Sequence, residues 1–234
     1  MIRYRGTYPV NDQAIILTNL NITPVPEIEY TTAKIPQMAG LMPIDKTHNA
    51  RAINTTFQLN GKTPDENATL LAQLARWSDS DYEEQLTLDE RPGLYYLATL
   101  TGSTEADLAE MWPEVTLTFT CPYPYALSTA IKDAAVGNPF TYAGDIRAWP
   151  TITFLATEAT AGAQWSNGQR IVTLDYTILA GHTVIIDNAK HAITDNGESI
   201  LQHLSLLSDW MYLTKGQNTI TGPGGLVQWR DICL

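Results

Sequence analysis

The stretch from Arg51 to Leu100 constrains the fold more than any other, because its apolar residues change from a strand period to a helix period and back. Ile53, Thr55, Phe57 and Leu59 alternate with Asn54, Thr56 and Gln58, and an offset at Ala52 sets Arg51 among the polar positions. One face of an extended segment is therefore apolar and the other polar, which is the pattern of a half-buried strand. Asn60-Gly61 ends it. Thr63-Pro64-Asp65-Glu66 then supplies a threonine N-cap, a proline at the first helical position, where a missing N–H costs nothing, and a glutamate spaced to answer the cap. Leu70, Leu71, Leu74 and Trp77 recur at one-turn spacing and predict one apolar stripe on a helix over Pro64 to Trp77, which Ser78-Asp79-Ser80-Asp81 ends. Such a stripe needs a sheet beneath it. Arg91-Pro92-Gly93 places Pro and Gly where a tight turn needs them, joining Gln85 to Leu88 and Leu94 to Leu100 as a hairpin.

Beyond this stretch the chain reads as strands. Val115, Leu117, Phe119 and Cys121 alternate with Thr116, Thr118 and Thr120 as the clearest of them. Pro122-Tyr123-Pro124-Tyr125 cannot continue it, since proline lacks the ladder N–H, and the first domain is expected to close there. Upstream, Pro9, Pro24 and Pro26 confine strands near Ile15-Ile16-Leu17 and Val25 to short pieces or sheet edges. Pro36 to Ala50 carries Gly and Pro without periodicity and reads as a long projecting loop. Its Met38, Leu41, Met42 and Ile44 are side chains that a monomer leaves poorly covered, so they are the candidate oligomer interface. Leu127 to Val136 is rich in small residues and reads as a connector with room for a short helical turn.

From Pro139 on, short strands are expected at Phe140 to Tyr142, Thr151 to Phe154, Ala163 to Trp165, Arg170 to Tyr176, Thr183 to Asp187, Ala192 to Thr194, Trp210 to Leu213, Asn218 to Thr221 and Leu226 to Trp229. Asn167-Gly168 and Asn196-Gly197 are dipeptides suited to type I′ turns, Gly222-Pro223-Gly224-Gly225 marks another reversal, and Ser199 to Leu207 is the one stretch with a helical reading. The expected architecture is mainly β. Residues 1–127 form a β-sandwich-like domain with one packed helix, and residues 135–234 an antiparallel β-sandwich.

The chemistry-bearing motifs are sparse. No nucleophile elbow, phosphate-cradling glycine loop or paired-histidine zinc helix occurs. His182, His191 and His203 match no metal-ligand spacing, and Cys121 and Cys233 read as two buried thiols rather than a zinc or redox pair. Asp79, Asp81, Glu83, Glu84, Asp89 and Glu90 raise the possibility of a glycosidase-like carboxylate pair, but they fall in turn-like sequence and read better as a solvated acidic face. Trp149, Trp165, Trp210 and Trp229 offer a lectin-like alternative, a carbohydrate-binding module on the second domain. Tryptophans scattered over several strands are more often core or interface anchors, so sugar binding is expected to be absent or weak. A net charge of −11 disfavours a nucleic-acid-binding surface, because such affinity comes from Lys and Arg neutralising phosphates. No apolar run reaches the roughly 20 residues of a membrane span, nor does a signal-peptide core follow Met1-Ile2-Arg3-Tyr4-Arg5, so synthesis and folding in the cytoplasm are expected.

Several stretches together resemble the distal tail proteins of long-tailed, non-contractile phages. In the first domain these are Ala52 to Leu59, the Leu70 to Trp77 helix, Pro92 to Ala98, and the closing strand with its aromatic-proline exit, Val115 to Tyr125. In the second domain, Leu179 to Asp187, Leu213 to Ile220 and Trp229 to Leu234 resemble the family's galectin-like sandwich. The resemblance implies a homo-hexameric ring of first domains around a channel that leaves DNA free to pass, with second domains projecting as arms. It implies a place at the virion tail tip, with the tail-tube protein, the tail-associated tip protein and, in some phages, receptor-binding proteins as partners. It implies no catalysis and no cofactor.

Overall fold

A computed structural model describes residues 1–9, 14–35 and 39–234. The chain is mainly antiparallel β with one α-helix, and it divides into two compact units, Met1–Leu127 with Leu234, and Ser128–Cys233.

The first unit contains strands β1 (Ile2–Tyr4), β2 (Ile15–Ile22), β3 (Ile28–Ala33), β4 (Met42–His48) and β5 (Arg51–Leu59), then helix α1 (Pro64–Ser78), then β6 (Glu84–Leu88), β7 (Leu94–Ser103) and β8 (Glu114–Cys121). Six of these pair in the order β1-β6-β7-β8-β5-β2. Along β5 and β8 every second side chain is buried, so Ile53, Phe57, Val115, Leu117 and Phe119 share one face as their alternation requires. Arg51 departs from its expected place: it lies in register with Ile53 on the buried face, only 1% exposed. Its Nη1 donates a 3.2 Å hydrogen bond to the Tyr96 hydroxyl, with the guanidinium 5.5 Å from the ring centre, while Nε and Nη2 are buried without a hydrogen-bond partner among the described residues.

Helix α1 starts as its cap predicts. The Thr63 hydroxyl accepts from the Glu66 N–H at 3.2 Å, while Glu66 reaches past the cap to the Lys62 N–H at 2.6 Å. The buried face carries Asn67, Leu74, Trp77 and Ser78; Leu70 and Leu71, expected in the stripe, flank it half-buried. Asn67 is drawn inward because its side-chain oxygen accepts from the Gly61 N–H at 2.8 Å, which ties the first turn to the end of β5. Trp77 docks the other end, edge-on to Tyr4, Phe57 and Phe119 with ring centres 5.9–6.2 Å apart.

The segment read as an unpatterned loop contains a strand. β4 pairs with β3 from Ile28 opposite His48 to Ala33 opposite Met42, and its Pro43 sits opposite Thr32, where the register shifts. The two form a sheet of their own, nearly every residue of which is exposed or half-buried. A period-two pattern arises only where one face is buried, so this hairpin leaves no such trace in the sequence.

The second unit is built on a six-stranded sheet in the order Lys132–Ala135, Leu226–Trp229, Thr151–Leu155, Thr183–Asp187, Ala192–Asp195, Glu198–Ser199. Short two-stranded ladders join Phe140–Tyr142 to Gly216–Asn218 and Gln164–Ser166 to Ile171–Thr173. The expected connector over 127–136 is not free chain: Lys132–Ala135 is a strand paired with Leu226–Trp229, and the unit opens at Ser128. Its small residues suit an edge strand whose side chains meet little. Ser199 to Leu207 holds a single 3₁₀ turn, Leu201–His203, and Trp210 to Leu213 joins no named strand, although Leu213 bridges Ala148. Asn196 and Gly197 both take positive φ (49° and 88°), as a type I′ turn requires. At Asn167-Gly168 only the glycine does, and Asn167 instead accepts through its side chain from the Gln169 and Arg170 N–H groups.

Because Leu74 is 1% exposed beneath the helix, Leu74→Ala is expected to lower the unfolding free energy by about 2–5 kcal/mol, read from the urea midpoint at unchanged slope. An unchanged midpoint would mean that the helix does not dock through this face.

Candidate assembly surface

The β3–β4 hairpin gathers several large apolar side chains at the surface. Tyr30, Leu41, Met42 and Ile44 are all exposed, Leu41 and Ile44 by 63% and 65%, although each is large and apolar. Met38 lies outside the described residues. Among the described residues the pair has no third strand, and an isolated two-stranded hairpin is marginal in water.

Its root is firmly held. The Asn49 N–H donates to the Glu27 carbonyl at 2.8 Å, closing the hairpin's open end. His48 Nδ1 lies 2.6 Å from the Tyr125 hydroxyl, with the rings edge-on, and Tyr125 packs against Tyr123 in the same manner. The aromatic-proline exit thus anchors the hairpin. Burial pushes the Tyr123 phenol up to about 12, and that of Tyr125 above its ordinary value, so both stay neutral at physiological pH.

The other candidate residues are dispersed. His182 pairs with Asp195 at 3.0 Å, His191 stacks on Trp210, and His203 packs on Tyr176. Among the described residues no three His, Cys, Asp or Glu side chains gather as a metal site. The acidic run is likewise divided: Asp79 caps α1, Glu84 faces Arg5, and Asp89 faces Arg3. Trp165 is wholly buried, donating to the Gly224 carbonyl at 3.2 Å, and Trp229 is 6% exposed with Phe140 stacked on it. Trp149 and Trp210 instead lie toward the surface. Sequence reasoning missed Tyr30, whose alternation signal is lost because its strand buries neither face.

Comparison with known proteins follows the two-unit division. Residues 14–121 match the phage tail protein RIFT-related domain, and residues 143–229 match the siphovirus-type tail component, C-terminal domain. The distal tail protein of Bacillus phage SPP1 is 28% identical over 146 residues, 59% of this chain and 58% of that relative, so the match spans less than two thirds of its length. The crystal structure of SPP1 Dit, titled a paradigm of hub adsorption apparatus in phages infecting Gram-positive bacteria, superposes with a TM-score of 0.87. It covers 100% of this chain and 98% of that one at 17% identity, a likeness of fold. A chain of the phage P2 baseplate in its activated conformation gives a TM-score of 0.49 at 8% identity, covering 94% and 91%.

Of the two thiols, Cys121 is wholly buried and Cys233 half-buried. Burial pushes the Cys121 thiol from 9.0 up to about 12, only partly offset by the nearby Arg51 guanidinium. The unfolded chain therefore loses this proton first. Stability from Cys121 is complete below pH 9.0 and falls as pH rises toward about 12. Iodoacetamide followed by mass analysis is expected to modify Cys233 in the folded protein at pH 8 and Cys121 only after unfolding; comparable labelling of both would place Cys121 outside the core.

Proposed function

The chain belongs to the siphovirus-type tail component family, and from that premise we propose that it builds a hexameric ring joining the tail tube to the host-adhesion apparatus around a channel for DNA. It is a structural component of the phage tail tip. Its role is assembly rather than catalysis, with a tail-tube protein and a tail-associated tip protein as neighbours in the tail and a receptor-binding protein as a third partner. In this reading the unit at residues 1–127 carries the ring contacts as a domain of its own.

The observation that carries the reading is the β3–β4 hairpin. A firmly rooted pair of strands with Leu41, Met42 and Ile44 exposed supplies one side of a contact that its own unit leaves unfilled. When such a projection fits a different surface on the next copy, the contact is heterologous, and it closes into a ring when the rotation closes. Met38, outside the described residues, belongs to the same proposed interface. The net charge of −11 supports the channel: repulsion lets a polyanion pass without adhering. The same repulsion between subunits is screened by salt, with a Debye length of about 10 Å at 0.1 M.

Light scattering of the purified protein is expected to give the mass of a hexamer or of stacked hexamers, increasingly so as salt rises to moderate levels. Leu41→Asp combined with Ile44→Asp is expected to return it to monomer with the strand content unchanged by circular dichroism, since neither side chain belongs to a core. A parent protein that stays monomeric in moderate salt, even with tube and tip proteins present, would sink the hub reading. An unchanged hexamer in the double variant would move the interface away from the hairpin.

A further inference from the structure

The fold gathers two of the four tryptophans of the second unit into an aromatic ledge that the sequence did not reveal. The segment before Thr151 is extended, and it alternates so that Ala148 and Pro150 are buried while Arg147 and Trp149 point outward. Ala148 and Leu213 exchange backbone hydrogen bonds at 3.3 and 2.7 Å, which sets this segment beside Trp210 to Leu213. Trp149 consequently lies edge-on to Tyr212 at 5.6 Å and to His191 at 6.0 Å, and His191 stacks on Trp210 at 4.9 Å with 13° between planes.

One buried side chain holds these pieces. Asn188, fully buried in the turn that also bears His191, donates from Nδ2 to the Pro150 carbonyl at 2.7 Å and accepts from the Met211 N–H at 2.9 Å. It thereby ties the neighbour of Trp149 to the residue between Trp210 and Tyr212. His191 adopts φ of 52°, in the left-handed region that few non-glycine residues occupy and that histidine tolerates better than most. Polar groups border the ledge. The Arg147 and Arg170 guanidiniums lie 4.4 and 4.6 Å from the Tyr212 ring centre, and Arg170 is fixed by Asp209 at 2.7 Å.

We propose that this ledge binds a neutral pyranose saccharide, its C–H face lying on the Trp149 indole and its hydroxyls meeting Arg147 and the Arg170–Asp209 pair. Three observations select this ligand class. Trp149 is 39% exposed and, among the described residues, no aromatic ring lies flat on it, whereas Trp210 and Trp229 each carry a stacked ring. A sugar ring presents an apolar C–H face to such an indole and a rim of hydroxyls that both donate and accept; a guanidinium beside a carboxylate answers both roles. A nucleobase would stack equally well, but the net charge of −11 opposes a polyanion, and a proline-rich peptide has no hydroxyl rim for Asp209 to accept from.

The inference is independent of ring assembly, which light scattering reads on the same samples. The full-length protein is tested on an array of neutral and anionic pyranose oligosaccharides, then by saturation-transfer NMR with cellotetraose, maltotetraose and chitotetraose as probes. At least one neutral glycan is expected to bind, with transfer strongest to ring C–H protons. Trp149→Ala is expected to weaken it about ten-fold, the upper end of what one ring-stacking contact supplies, while Trp149→Phe retains most of the binding. Trp112→Ala, at an exposed tryptophan of the first unit, is expected to change nothing. Absence of any glycan binding would overturn the proposal, as would glycan binding untouched in Trp149→Ala with an unchanged melt. Binding of a single-stranded oligonucleotide or a proline-rich peptide without a glycan would reassign the ledge to that class.

Discussion

The first unit depends on Trp77. Its indole meets Tyr4, Phe57 and Phe119 edge-on, so a residue from the end of the helix touches three different strands at once, and its Nε1–H donates to the Thr7 carbonyl at 3.0 Å. That one contact fixes the height of α1 over β5 and β8 and holds the turn after β1. Tyr4 extends the arrangement, its hydroxyl reaching Ser80 at 2.7 Å and the Ala98 carbonyl at 3.2 Å. The sheet's buried face is thus completed by its own helix. The β3–β4 hairpin adds no buried side chain to this core, and its Leu41, Met42 and Ile44 stay exposed.

What the sequence revealed follows the same physics. Burial on one side writes a period into the chain, and β5, α1 and β8 were legible because each has one dry face. Hairpin turns were legible where the backbone needs positive φ, as at Asn196-Gly197. The β3–β4 hairpin was illegible as a strand pair for the opposite reason: with neither face buried, nothing selects its alternate residues, and Pro43 sits within it opposite a register shift. Arg51 was misplaced because a charged residue at the start of an apolar alternation looks like an offset. Its partner Tyr96 lies far along the chain and meets it only in the fold.

The aromatic ledge belongs to a further class, in which the residues are visible in the sequence and their gathering is not. Trp149, His191 and Trp210 sit on separate segments, and no local pattern links them. Asn188 links them, yet an asparagine in a turn reads as a turn former, and its two long-range hydrogen bonds appear only in the fold. Four tryptophans of similar sequence setting therefore divide: Trp165 and Trp229 fill the core, while Trp149 and Trp210 form a surface.

Both surfaces rest on the same principle by opposite means. The ledge is preorganised, its rings supported by a buried amide and a constrained turn, so a small ligand meets it without first ordering it. The hairpin is held at its root by His48, Tyr125 and the Asn49–Glu27 hydrogen bond. Beyond the root, Leu41, Met42 and Ile44 keep large apolar surfaces in water. Covering them in the proposed ring contact returns about 25 cal/mol for each Å² removed from water, over a wider area than a single sugar ring covers. The two proposed partners thus differ in size as the two surfaces differ in area, a protein copy for the hairpin and a small ligand for the ledge.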